Sequence, residues 1–215
     1  SEMVSIGKHC GRNITALITD MNSPLGYAVG NTLEVCEAIK ILKGERVDRL
    51  SELCIALASN MISLALNKDI DAAEQIANEM IASGKALEKL REMVISQGGD
   101  ASYIDDESKF EFDNCSHDIV AKESGFIGEI NALEIGESSV LLGAGRSVKE
   151  DEIDSKAGII LHCKVSDKIN KGERIMTLYA ADESKIDTAK EIAESSVKIV
   201  LKQPSKTSII LNQIS

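Results

Sequence analysis

The sequence has no Cys-x-x-Cys pair, no excess of positive charge and no uninterrupted apolar run long enough to span a bilayer. Each absence removes a class of function. Cys10, Cys36, Cys54, Cys115 and Cys163 are odd in number and irregularly spaced, so reduced thiols in a cytoplasmic protein are expected rather than a disulfide framework. With 24 Lys and Arg against 35 Asp and Glu the formal net charge is −11. Polyanion binding needs a clustered positive face, which excludes nucleic acid and acidic membrane as partners; a small anion such as phosphate needs only a local group of donors and is not excluded. His9, His117 and His162 stand in no metal-ligand repeat, and Cys115 with His117 would supply only half of a tetrahedral zinc site. There is no Gly-x-Ser-x-Gly nucleophile turn, and no Cys has an obvious base. No signal or transit segment opens the sequence and it does not begin with Met; Glu2 to Gly7 reads as the tail of a helix, so the chain is expected to be a piece of a longer one.

What is present is enough to bury a core: 215 residues, 43% of them hydrophobic, which suits a globular, soluble chain of one large or two small domains. The organising stretch runs from Thr19 to Gly44. Asn13 to Thr19 reads as a short strand of a parallel sheet, and Val35, Ala38, Ile39 and Leu42 repeat at helical spacing up to Gly44. Between them lies a loop punctuated by Pro24, Gly26 and Gly30, with Asn31 as N-cap. Further helices follow on the stripe from Leu50 to Ala65, after the capping box Asp71 to Glu74, and over Leu87 to Val94. From Ser116 the texture changes to short strands, Ile119 to Lys122, Gly125 to Ile130, Gly158 to Val165 and Arg174 to Ala180, then a helix over Ser184 to Glu194 and strands Val197 to Leu201 and Ser208 to Leu211. The fold class expected is α/β plus α+β: residues 1–100 as the helix-rich part of a parallel α/β domain, 101–115 as an acidic linker, and 116–215 as a small α+β domain.

Strand-loop-helix corners commonly hold ligands, and loop carbonyls with one carboxylate suit a hard cation. Read alone, Glu37 fits a solvated helix carboxylate paired with Lys40 one turn on. Gly143-Ala144-Gly145-Arg146 could form an anion nest, but lacks the Gly-Lys-Ser/Thr tail of a phosphate loop; a tight turn with Arg146 paired to Glu150, Asp151 or Asp154 is the plainer reading. Asp20 suits a cap on the Met21-Asn22 turn.

The stretch Asp20-Met21, Pro24-Leu25-Gly26, Gly30-Asn31, Leu33-Glu34-Val35 and Glu37-Ala38 resembles the corresponding segment of the pyrimidine-nucleoside and thymidine phosphorylases. A second block, Leu142 to Arg146, then Lys149-Glu150 and Ile153-Asp154, matches in the same order. The resemblance implies the C-terminal half of such an enzyme. It also implies that Lys164 to Ile175 is the turn of a barrel-sandwich module like those of biotinyl and lipoyl carriers, with Ser166 where Gly is usual; no Met-Lys-Met carrier tripeptide occurs. For the parent enzyme it implies reversible phosphorolysis, inorganic phosphate attacking the anomeric carbon of a pyrimidine nucleoside to give free base and pentose 1-phosphate. A monovalent cation, typically potassium, is implied as cofactor, held by the carbonyls of Leu25 and Ala28 and the carboxylate of Glu37, with Pro24 and Gly26 shaping the loop. The remaining cation ligands and all phosphate and base contacts would lie upstream, so no catalytic or substrate-binding residue is named here. The parent is expected to be a cytoplasmic homodimer, and this part to be inactive alone with an incomplete cation site. A thymidine phosphorylase, or a non-catalytic binding or scaffold module derived from the family, are the alternatives.

Overall fold

The computed structural model describes residues 2–113 and 115–214. In chain order the elements are α1 (Glu2–His9), β1 (Ala16–Thr19), β2 (Ala28–Val29), α2 (Asn31–Leu42), α3 (Asp48–Leu66), α4 (Ile70–Ala82), α5 (Lys85–Ser96), α6 (Ser102–Asp105), β3 (Cys115–Val120), β4 (Gly125–Ile130), α7 (Ala132–Ser139), β5 (Gly158–Leu161), β6 (Lys168–Ile169), β7 (Arg174–Ala180), α8 (Glu183–Ser195), β8 (Val197–Val200) and β9 (Ile210–Ile214). The chain divides into two compact units: residues 1–20, 40–101 and 208–215 form the first, residues 21–39 and 102–207 the second.

That division corrects the expected one, in which residues 1–100 and 116–215 were separate runs. The terminal strand β9 belongs with the first unit because it pairs antiparallel with β1, Ala16 opposite Ile214. Residues 21–39 belong with the second because β2 pairs antiparallel with β5, Ala28 opposite Ile160. Every strand pair among the described residues is antiparallel, so the parallel sheet expected for the first part is not present there. The stretch 101–115 holds α6 and a short turn of 3-10 helix over Glu107–Lys109.

In the first unit α3 packs on α4, whose buried Ala73 and Ala77 let the helix axes approach closely. Asp69 caps α4, its carboxylate accepting from the Ala72 amide at 2.8 Å, two residues before the expected capping box. The Asp20 carboxylate accepts from Arg49 Nη2 at 2.9 Å, and both side chains are mostly covered. The window Arg49–Leu66 has a mean hydropathy of 1.3 and is long and apolar enough, by length and composition, to cross a membrane, against the expectation from the sequence.

The second unit is α+β. Its sheets run β2-β5-β7-β3 and β6-β4-β8, and its core gathers Ile127 and Ile130 of β4, Ile159 and Leu161 of β5, Met176 and Leu178 of β7, Ile135 of α7 and Ile186 and Ala189 of α8. The join between β2 and β5 depends on glycine. A Cβ on Gly30 would lie 2.5 Å from the Ala157 carbonyl oxygen, and one on Gly158 would lie 2.2 Å from that of Val29. Two backbones therefore cross at a separation no side chain allows, which fixes the turn after β2 against the sheet.

Candidate functional site

The loop Pro24–Tyr27 leads into β2, the edge strand of the four-stranded sheet. The Leu161 amide donates to the Tyr27 carbonyl at 2.7 Å, so in the alternating antiparallel ladder Ala28 turns its own amide and carbonyl away from β5, to the open edge. After β2 the chain turns at Gly30 into α2. Asn31 is the first helical residue rather than the cap; Glu34 reaches back instead, its carboxylate accepting from the Gly30 amide at 3.1 Å.

The buried stripe of α2 is Leu33, Cys36, Glu37 and Ile39, while Val35 and Ala38 face out. Glu37 therefore lies on the inward face and is not the solvated partner of Lys40: its side chain reaches back over the loop and the residue is 8% exposed. Its carboxylate accepts from the Tyr27 amide at 2.7 Å and from the Ala28 amide at 3.4 Å. It also occupies the space a side chain at Gly26 would need, since a Cβ there would lie 1.9 Å from Glu37 Oε2.

The same loop is held from its carbonyl side by a residue that the sequence reading passed over. The Lys164 ammonium donates to the carbonyls of Pro24 (3.1 Å), Leu25 (3.3 Å) and Gly26, and lies 4.5 Å from the centroid of the Tyr27 ring. Lys164 is 8% exposed. Its backbone is pinned: its amide donates to Asp167 Oδ2 at 2.8 Å, its carbonyl accepts from the Asp167 amide at 3.0 Å, and the Ser166 amide donates to the Ile127 carbonyl at 2.8 Å. Ser166, at the position where glycine is usual in the resembling modules, takes φ of 79°, and its hydroxyl donates to the Pro204 carbonyl at 2.9 Å. A left-handed serine costs about 1 kcal/mol, which that hydrogen bond offsets. The signal for Lys164 was available: it is a lysine set among apolar neighbours in Leu161-His162-Cys163-Lys164-Val165.

The loop is thus gripped through opposite ends of its peptide dipoles, a cation on its carbonyls and an anion on its amides. Of the expected cation ligands, Leu25 presents its carbonyl to Lys164, Glu37 presents its carboxylate to the loop amides, and Ala28 lies on the open strand edge beside them. Among the described residues no group of three or more His, Cys, Asp or Glu side chains is placed to hold a metal ion, so a cation here would depend on backbone carbonyls.

The other candidates do not assemble a site. The segment Val140–Ala144 is a turn of π-helix broken at Gly143, whose carbonyl accepts from the Asp154 amide at 2.9 Å. Arg146 is exposed and forms no ion pair among the described residues; Asp151 accepts instead from the amides of Ser147 and Val148. His162 meets Thr177, whose hydroxyl donates to Asp118, and burial pushes the imidazole pKa down. Cys163 is buried and its thiol is pushed up to about 12, chiefly by that burial, so it is no nucleophile.

Residues 126–200, within the second unit, match the family described as pyrimidine nucleoside phosphorylase C-terminal domain. Across most of the chain, identity is 50% over 183 residues (85% of this chain, 42% of the relative) to the pyrimidine-nucleoside phosphorylase of Bacillus subtilis (strain 168). It is 39% over 214 residues (99% and 49%) to that of Geobacillus stearothermophilus, and 43% over 194 residues (90% and 45%) to that of Staphylococcus haemolyticus. The chain belongs to the pyrimidine-nucleoside phosphorylase family and spans about half the length of the curated relatives it matches.

Proposed function

We propose that this chain serves as the C-terminal half of a pyrimidine-nucleoside phosphorylase and has no turnover by itself. The reaction is transfer of a pentosyl group from a pyrimidine base to inorganic phosphate: the glycosidic C–N bond breaks, a C–O bond to phosphate forms, and the base leaves with a proton. Charge developing on the sugar and on the departing base has to be met by groups held in place beforehand. On this reading the phosphate and base contacts are supplied by sequence outside this chain. What this half contributes is the rigid loop from Pro24 to Ala28 and the α+β unit behind it, read here as a barrel-sandwich-like module.

The observation that carries this reading is the double grip on that loop. Lys164 stands as a cation on loop carbonyls, and Glu37 is a buried carboxylate beside them, a donor set of the kind a monovalent cation takes. A potassium ion would be held there by the carbonyls of Leu25 and Ala28 and by Glu37, supplying positive charge at the edge of β2. The five free cysteines suit a reducing cytoplasmic setting, and the whole enzyme is read as a homodimer acting on small molecules.

The test is a chimera in which this chain replaces the matching segment of the Bacillus subtilis relative. Uracil release from uridine and phosphate is expected from the chimera, faster in potassium than in sodium chloride, with Glu37→Gln removing the difference. The chain alone should give no release above background. A folded chimera without turnover, or full turnover by the chain alone, would overturn the proposal; an active chimera indifferent to potassium would overturn the cation assignment.

A further inference from the structure

We propose that an exposed apolar seam on α3 and the open edge of β1 form one docking surface for the N-terminal half of a pyrimidine-nucleoside phosphorylase, and that the two halves associate through it without a covalent link. The inference rests on reading this chain as the C-terminal half of such an enzyme, and adds the surface by which the halves join.

Both features lie within the first unit. Cys54, Leu57, Met61 and Leu64 follow one another along α3 at steps of three, four and three residues, the spacing with which one helix packs along another. All four are exposed, Leu57 by 45%, Met61 by 70% and Leu64 by 42%. Elsewhere around the helix Leu53 and Ser59 are buried, and α3 packs on α4. A helix apolar on nearly every side is an interior helix, and this one is covered on part of its circumference only. Strand β1 is unfinished in the same way: it pairs with β9 alone among the described residues, so its second edge has no strand beside it. A two-stranded ribbon is marginal by itself, and an open edge is a template for another strand. Ribbon and helix are neighbours, since the Gln213 side-chain amide of β9 donates to Asn60 Oδ1 of α3 at 3.3 Å.

The occupant has to bring both an apolar helix or sheet face for the seam and a strand for the edge, which is what a polypeptide half-domain supplies. The relatives run to about twice the length of this chain, and the family model it matches is that of the C-terminal domain, so their surplus precedes the matched part. A lipid surface answers neither need. It offers no partner to a strand edge, and a helix lying on a membrane carries basic residues along its polar flank. Helix α3 has no Lys, and its one Arg, Arg49, is held by Asp20. The net charge of −11 also opposes an anionic leaflet. Because seam and edge are formed by the chain's own fold, the other half can reach them as a separate polypeptide.

The experiment co-expresses the full chain with the segment of the Bacillus subtilis relative that precedes its matched residues, the affinity tag being on that segment alone. The chain is expected to copurify with it in equal amounts, and hydrogen exchange of the β1 amides should slow by at least about tenfold in the complex. Met61→Glu, at an exposed position, should leave the thermal unfolding of the chain unchanged. It should lower the recovery at least about tenfold, because it carries a carboxylate into a dry seam. Leu57→Gln stands in where that variant does not fold, under the same outcomes. No recovery of the unsubstituted chain, or equal recovery of the folded variant, overturns the docking surface. So does a dimer of the chain that persists with the segment in excess and is lost in Met61→Glu, which would give the seam to a second copy. So does sedimentation with vesicles of phosphatidylcholine and phosphatidylglycerol that Met61→Glu abolishes. The reading of the chain as half of an enzyme fails separately, in a folded chimera without turnover.

Discussion

Adding a single methyl group at Gly26 should act as a deletion of the Glu37 carboxylate. Gly26 needs no left-handed backbone, so Gly26→Ala alone would be neutral or stabilising by about 0.4–1 kcal/mol through the unfolded chain. Its Cβ, however, would lie 1.9 Å from Glu37 Oε2 and 2.7 Å from Cδ, so the carboxylate has to leave. Leaving breaks its short bond from the Tyr27 amide at 2.7 Å and its longer one from Ala28 at 3.4 Å. A hydrogen bond to a charged group is worth about 1.5–3 kcal/mol, and the second, at its length, adds little. The net cost expected for Gly26→Ala is about 2 kcal/mol, read as a shift of the urea midpoint without a change in slope. The decisive assay is the double-mutant cycle with Glu37→Ala: once the carboxylate is gone, Gly26→Ala should cost nothing or stabilise, giving a coupling of about 2 kcal/mol. Additive costs in the cycle would refute the reasoning, because they would mean that Gly26 is required by something other than the space Glu37 fills.

Three further outcomes follow from the same structure. Asp20→Asn should destabilise by about 2 kcal/mol in chemical unfolding, with weak dependence on salt, because the ion pair to Arg49 is mostly covered and poorly screened. In alkylation of the native chain at pH 8, exposed Cys10 should react first while Cys163, its thiol raised to about 12 by burial, stays unmodified until denaturant is added; early labelling of Cys163 would contradict its packing. The Asp113 carboxyl is raised above its ordinary value, first by burial and then by the Asp154 charge beside it. Its folded pKa exceeds the unfolded one, so its contribution is fully present below the unfolded pKa of 3.8 and is lost as pH rises through the folded value. Asp113→Asn should therefore raise stability at neutral pH and flatten the fall above pH 3.8; an unchanged slope would contradict the pairing with Asp154.

The helices were legible because their signals are local: the stripe on α3 and the repeat from Leu87 to Val94 on α5 lie within a few turns, although α4 is capped by Asp69 rather than by the expected box. Strands β4 and β7 were also legible, bounded by glycine or charge and rich in β-branched and apolar residues. What failed was long-range. The direction of β1 depends on β9, a partner nearly at the other end of the chain, and the sequence around Ala16 carries no mark of it. The phase of α2 failed because both faces are apolar: Val35 and Ala38 offered as good a stripe as Leu33 and Cys36, and only the loop laid against the helix decides that Glu37 points inward. Lys164 was hidden for a similar reason. A lysine in an apolar run signals burial, but its counter-groups are main-chain carbonyls of residues 24–26, which no side-chain pattern reveals.

The account turns on the grip that Lys164 and Glu37 exert on the Pro24–Ala28 loop, and the side-chain ammonium of Lys164 reports on it directly. In nitrogen-15 NMR of the full chain, one lysine ammonium should exchange slowly with water, show through-space contact to the Tyr27 ring, and vanish in Lys164→Met. A Lys164 ammonium exchanging as fast as the exposed lysines, with no contact to that ring, would contradict it.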